Sequence, residues 1–308
     1  LPGMARADPP AAPERLDRTG LIQGLGAYAL WGVLPLFFWL LSGVDAGEVV
    51  AMRVLWSLGL LAVVTLALRR APALIAALRS RRAMALLAAS SALISINWLV
   101  FIWAIQHHHV LESSLGYFLN PLVNVLLGVV LLRERLGWPQ MVAVALAVAG
   151  VAVLAYGAGQ GIWISLALAF SFGFYGLVRK VAPVGALEGL AIETAILTPF
   201  AAIYLVWLSG AAGLSFGAEP GVTATLIASG VITATPLLLF AGAARRLPYS
   251  TLGLLQYIAP TMGFISAITF FGEAMTAAHA ICFALIWTGL AIVAIHGTIT
   301  ARRRRVTA

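Results

Sequence analysis

LRRAPALIAALRSRR, residues 68–82, places five arginines between two long apolar runs, AMRVLWSLGLLAVVTLA before it and AMALLAASSALISINWLVFIWAIQ after it. Runs of that kind have the ~20-residue length that crosses a ~30 Å hydrocarbon core. Working outward, ten such spans follow one another, at about 20–41, 48–68, 83–106, 111–132, 138–156, 162–178, 187–208, 222–244, 251–271 and 276–297. Every second gap is basic. The leader holds Arg6, Arg15 and Arg18, and later gaps hold Arg133 and Arg135, Arg179 and Lys180, and Arg245 and Arg246. The tail holds Arg302 to Arg305. With the five arginines of 68–82, eighteen of the nineteen basic residues fall on one side. Basic short loops stay inside, so an all-α membrane protein with ten transmembrane helices and both termini cytoplasmic is expected.

Composition points the same way. With 62% hydrophobic residues, 10% charged residues and a mean hydropathy of +1.00, the chain falls outside the range of soluble folds. A pI near 10.4 suggests nucleic acid in a soluble protein. Here the basic loops face anionic lipid instead, and no nucleic-acid partner is expected. The single cysteine, Cys282, lies within an apolar run, which leaves no disulfide framework and no cysteine metal site. Residues 1–19 form a polar leader in which Leu1–Gly3, ahead of Met4, reads as an added remnant. No cleavable signal pattern is expected there.

Shifting the chain by 139 residues superimposes Leu115 on Leu254, Pro121 on Pro260, Glu134 on Glu273, Gly150 on Gly289 and Ala155 on Ala294. Upstream the register slips slightly, placing Glu48 over Glu188 and Trp31-Gly32 over Phe172-Gly173. The matched Pro and Glu, thirteen residues apart in both copies, carry more information than matched leucines. Five spans per copy is an odd number, so the copies enter the membrane from opposite sides. Two inverted five-helix repeats are expected, 20–157 and 158–298, with 299–308 as a basic cytoplasmic tail. Transporters built this way carry their sites at the repeat interface near the midplane.

The stretches AYALWGVLPLFFWLL, EVVAMRVLWSLGLL, NWLVFIWAIQHHHVLESSLGYFLNPLVNVLLGVVLLRERL, AFSFGFYGLVRK and STLGLLQYIAPTMGFISAITFFGE resemble the EamA-type permeases of the drug/metabolite transporter superfamily. Within these they are most similar to the chloramphenicol-sensitive, RarD-type group. The resemblance runs from about Gly20 to His296. It implies a ten-helix 5+5 inverted fold in the bacterial inner membrane, exporting amino acids, related metabolites or drugs.

Two formal charges lie well inside spans, Arg53 and Glu193, and ions at such depth are functional candidates by default. Arg53 sits roughly 7 Å from the outer end of its span at ~1.5 Å per residue, and the upstream register superimposes it on Glu193. Either the two mark the ends of a polar path that takes the carboxylate and ammonium of an amino acid, or each is a structural charge satisfied locally. Tyr28, Trp31, Trp56, Trp98, Tyr117, Tyr175 and Tyr257 supply aromatic walls for a cavity, or else pack between helices. Trp103, near a span end, reads as an interfacial anchor. Asn97, Asn120, Asn124 and Gln256 either line that cavity or join helices by hydrogen bonds. Pro35, Pro121, Pro199, Pro236 and Pro260 fall inside spans, where each removes a backbone donor and kinks its helix. They are candidate hinges.

The remaining candidates read more simply. His107, His108 and His109 diverge by ~100° per residue on a helix, so no metal site is expected, and no cofactor. Glu134 and Glu273 read as caps or hinge anchors. The spans hold no Asp pair and no H-E-x-x-H motif, which disfavours an intramembrane enzyme. A filter or charged ring of a channel is equally absent from the sequence. An alternating-access carrier of a small molecule is the expectation, driven by the cargo's own gradient or by protons bound at Glu193.

Overall fold

The protein is described from a computed structural model covering residues 17–106, 110–156, 162–270 and 276–306. Among the described residues there are twelve α-helices and no strand. They are α1 Arg18–Trp39, α2 Ala46–Ala67, α3 Ala71–Arg79, α4 Arg81–Gln106, α5 Val110–Val130, α6 Trp138–Ala155, α7 Ile162–Val181, α8 Ala186–Ala211, α9 Pro220–Arg246, α10 Tyr249–Gln256, α11 Ile258–Thr269 and α12 Ala277–Val306. Eight of them (α1, α2, α4, α6, α7, α8, α9 and α12) are long and apolar enough to cross a membrane, and α5 contributes a shorter apolar stretch, Leu115–Val130.

Two features depart from the sequence expectation. The basic gap 68–82 contains a helix, α3. Pro72 begins it with a pre-set φ, while Leu74 and Ala77 pack against Ala83, Leu87 and Ile192. Ile75 and Leu78 face outward. The expected ninth span is broken at Tyr257 into α10 and α11. Pro260 has no N–H to offer the Gln256 carbonyl, and its ring crowds that carbonyl. The chain therefore closes one helix with a Tyr257 N to Leu254 O bond of 3.4 Å and opens the next with Thr261 N to Tyr257 O at 3.2 Å. Pro121, Pro199 and Pro236 instead sit within continuous helices, and Pro35 falls within the bounds of α1.

Helix ends are fixed by side chains and by backbone reversal. Asp17 and Asp45 accept from the Gly20 and Glu48 amides at 3.0 and 2.9 Å, capping α1 and α2. The Gly20 amide and the Arg246 guanidinium hold the Asp17 carboxyl below its usual range. Helices α2 and α5 end in left-handed residues that are not glycine, Arg69 at φ 53° and Arg133 at φ 56°. The reversals close with Arg70 N to Thr65 O at 2.8 Å and Glu134 N to Gly128 O at 3.0 Å.

Carboxylates then knit helix ends together. Glu134 accepts from Tyr249 N at 2.6 Å, Ser250 N at 2.9 Å and Ser250 Oγ at 2.7 Å, capping α10. Glu48, at the start of α2, accepts from the Ser215 and Phe216 amides at 3.0 and 2.8 Å in the segment after α8. Glu188, at the start of α8, holds Arg70 after α2 at 2.6 Å. Asp17 pairs with Arg246 at 3.1 Å, and Lys180 donates to Leu247 O at 2.6 Å. The basic segments beside α1, α2, α7, α8 and α9 thereby meet at one end of the bundle.

Helix α2 packs on α8 and α9, α4 on α7 and α8, α1 on α9 and α11, and α5 on α7 and α10. Helices α6 and α12 pack mainly on each other. A Cβ on Gly150 would lie 3.1 Å from the Cys282 carbonyl, and one on Gly289 would lie 2.8 Å from Ala143 Cα. Small residues let these backbones approach, which is how apolar helices associate where lipid removes the hydrophobic advantage. Both contacts obey the 139-residue offset, since Ala143 maps to Cys282 and Gly150 to Gly289.

Candidate substrate site

A small cavity of about 20 Å³ lies within the bundle, bounded by α2, α4, α7, α8 and α9. It is large enough for about one water. Its walls include Ser57, Trp98, Tyr175, Glu193, Thr194 and Thr233, with Val54, Ile94 and Leu237 among its apolar lining.

Glu193 forms one end of it. Ser90 donates to Oε1, and the Tyr175 hydroxyl stands 3.5 Å from Oε2. Arg179 brings Nη1 to 3.6 Å from Oε1, with both side chains almost fully buried. The guanidinium also donates from Nη2 to Ala186 O at 2.9 Å. The sequence places Arg179 among the basic gap residues, but it turns inward and supplies the counter-charge of Glu193. The available signal was spacing, because Tyr175 and Arg179 are four apart and share one face of α7.

Gly189 makes room for this pair, since a Cβ there would collide with the Arg179 guanidinium. Gly189→Ala is expected to displace Arg179, lower stability by about 1–3 kcal/mol and slow transport. Thermal melting in detergent checks it: added to an Arg179→Met background, Gly189→Ala is expected to cause little further loss if the guanidinium is the obstacle.

Arg53 lies on the other side. Its Nε donates to Thr233 Oγ1 at 2.7 Å, and its guanidinium stands 4.9 Å from the Phe38 ring centre and 5.3 Å from that of Trp98. Such cation–π contacts are worth ~0.5–2 kcal/mol depending on desolvation. Tyr117 packs its ring on Phe101 at 5.9 Å and remains 43% exposed. Arg53 and Glu193 make no direct pair among the described contacts. Thr233 and Trp98 connect them, because both line the cavity and both touch Arg53.

Other sequence candidates fall into separate groups. Tyr28 and Trp31 join Phe172, Tyr175 and Phe240 in an aromatic layer with ring centres 5.4–6.3 Å apart. In it Trp31 touches Phe172, its own counterpart in the 141-residue register, at 5.6 Å. Trp56 turns away from the cavity, to Phe216 at 6.2 Å. Asn97 donates to Leu168 O and Ser171 Oγ, both at 2.9 Å, joining α4 to α7. Asn124 donates to Gln256 Oε1 at 2.6 Å, joining α5 to α10. Asn120 is buried one turn earlier on the same face. Tyr257, at the helix break, packs with Leu115, Phe118, Ala147 and Cys282. Trp103 packs on Trp163. His107, His108, His109 and Glu273 lie outside the described residues. Ser90, Thr233 and Phe38 also carry no distinguishing pattern in the sequence, being short or apolar side chains.

The sequence profile of the EamA-like transporter family matches residues 18–156. The chain is 47% identical over 294 residues to protein RarD of Streptomyces exfoliatus, covering 95% of this chain and 93% of that protein. It is 34% identical over 277 residues to the chloramphenicol-sensitive protein RarD of Pseudomonas aeruginosa, covering 89% and 92%. A solved crystal structure with 20% sequence identity has the same fold, with a TM-score of 0.72, covering 89% of this chain and 96% of that one.

Proposed function

The chain belongs to the EamA-like transporter family, in its RarD-type group, and on that premise we propose that it is an inner-membrane exporter of amino acids, aromatic and apolar ones included, and of related small metabolites. It works by alternating access. In this reading ten spans form two inverted five-helix repeats, 20–157 and 158–298, with leader and tail in the cytoplasm and α10 with α11 making the ninth span. The exchange of partners between halves supports it. Helix α1 packs on α9 as α7 packs on α4, and the Gly150–Cys282 contact is repeated by Gly289–Ala143. Glu48 and Glu188 reach reciprocally to the segments after α8 and α2.

The observation that carries the functional reading is the central cavity with Glu193 in one wall and Arg53 bonded to Thr233 of another, a cavity that widens from room for one water to take cargo. Charges of opposite sign on the two sides suit a zwitterion. The cargo carboxylate goes to Arg53 and its ammonium to Glu193, whose Oε2 has only the long Tyr175 contact. Apolar side chains of the cargo face Trp98, Ile94 and Leu237. Arg179 already balances Glu193, so no proton is required for neutrality, and the cargo's own gradient is the driving force. Pro260 at the α10–α11 break, with Pro35, Pro121, Pro199 and Pro236, provides the bends about which the halves move.

A second reading, a drug or antibiotic permease, draws on the name of the Pseudomonas aeruginosa relative. Counterflow in proteoliposomes preloaded with single amino acids, with a drug panel in parallel, separates the two. Saturable amino-acid exchange is expected, and exchange confined to drugs would replace the first reading with the second. Topology is checked by a cysteine at Ser42 and another at Ala76, both exposed positions, with the native Cys282 buried. A membrane-impermeant thiol reagent applied outside is expected to label Ser42→Cys and spare Ala76→Cys, and the opposite pattern would invert the proposed orientation.

A further inference from the structure

Beside the bundle, and separate from the central cavity, a cleft of about 470 Å³ runs between α2 and α8 and ends beneath α3 and the start of α4. That volume lies within the roughly 300–1,000 Å³ typical of small-molecule sites. Its walls are apolar, with Leu58, Leu66, Leu74, Met84, Ile192 and Ile196 prominent. Leu66 and Leu78 are 70% and 50% exposed, so the cleft opens sideways. Both α2 and α8 have the length and composition of membrane spans, so what meets that opening is hydrocarbon.

The segments that flank α3, at this end of the cleft, carry five arginines. Arg69 and Arg70 precede α3, Arg79 ends it, and Arg81 and Arg82 begin α4, all five exposed. Arg70 is held by Glu188. Among the described residues, Arg69, Arg79, Arg81 and Arg82 have no ion pair. Lower down, Thr65 lines the cleft with a hydroxyl that is buried and has no partner. It lies in the last turn of α2, four residues before Arg69. The corresponding segment of the second half, 212–219, contains no Lys or Arg and ends in Glu219, so the arrangement belongs to one face of the membrane only.

We propose that this cleft binds one anionic phospholipid. An acyl chain fills the space between α2 and α8, the phosphate is held by Arg69, Arg79, Arg81 and Arg82, and Thr65 donates to an ester carbonyl. Clusters of basic residues beside a span recognise such headgroups, and here the acyl groove and the basic cluster are continuous. Because α3 forms the lid of the cleft and Arg70 ties it to α8, the lipid joins α2, α3, α4 and α8 at their charged ends.

Native mass spectrometry of the full chain released from detergent, with phosphatidylglycerol and phosphatidylcholine of identical chains, tests the site. The expected result is one phosphatidylglycerol retained with at least about tenfold preference. Arg79→Gln/Arg81→Gln/Arg82→Gln is expected to abolish the preference. Ala195→Phe, which fills the groove and leaves every arginine in place, is expected to weaken both lipids, and it keeps the test sound if the triple variant fails to fold. Equal retention of the two lipids, an unchanged preference in the triple variant, binding of glycerol phosphate as tight as that of the lipid, or protection of the cleft by a second copy of the chain would each overturn the proposal.

Discussion

Glu193→Ala is expected to unfold the protein at markedly lower temperature and to abolish transport. The substitution strands the Arg179 guanidinium in the bundle centre, where it is 2% exposed and has no carboxylate other than Glu193 among its described contacts. Breaking a buried pair from one side typically costs about 3–5 kcal/mol, whereas replacing both members by apolar groups is often neutral. Arg179→Met alone should therefore be as damaging as Glu193→Ala, and the double variant should recover most of the lost stability. Transport should remain absent in all three, because the double variant restores packing but not the cavity's charge. If the double variant is as unstable as the singles, the pair is not the unit that holds this region. If it transports, Glu193 has no role in binding.

Arg53→Met is expected to produce the converse profile, with flux lost and fold retained. Arg53 is only half-buried, and its interactions are one hydroxyl bond to Thr233 and two aromatic contacts. None of these leaves a charge behind when removed. Counterflow of a zwitterion should fall at least about tenfold, equivalent to about 1.4 kcal/mol of binding. An uncharged cargo of the same size should be affected much less. Normal zwitterion flux in a well-folded Arg53→Met protein would sink the proposed assignment of the cargo carboxylate.

The architecture was legible in the sequence to the extent that charge and length determine it. Arginine-rich gaps such as 68–82 cannot enter hydrocarbon, so the run boundaries follow from solvation alone. Gly150, Gly289, Ala143 and Cys282 were visible as a repeat offset, and they meet where that offset requires. Local breaks were less legible. Pro260 announces a disturbance, but the helix yields at Tyr257, because a proline disrupts the turn before it. Helix α3 is nine residues long, too short for periodicity to separate it from a loop. The site was half visible. Arg53 and Glu193 stand out as charges inside apolar runs, whereas Arg179 sits next to Lys180 and is indistinguishable by composition from a loop residue. Only its burial, made possible by Gly189, sets it apart. Ser90 and Thr233 are too common in membrane helices to be singled out from one sequence.

The left-handed arginines that end α2 and α5 have a consequence for how the chain is made. Glycine would close these turns without strain, whereas arginine at positive φ costs about 1–2 kcal/mol. In the proposed orientation both face the compartment in which synthesis occurs. For α2 and α5, a charge that resists passage across the membrane is therefore carried by the same residue that reverses the backbone. Biogenesis and folding read one signal at one position, so a helix retained at the correct depth is already set to turn back into the membrane as an antiparallel neighbour.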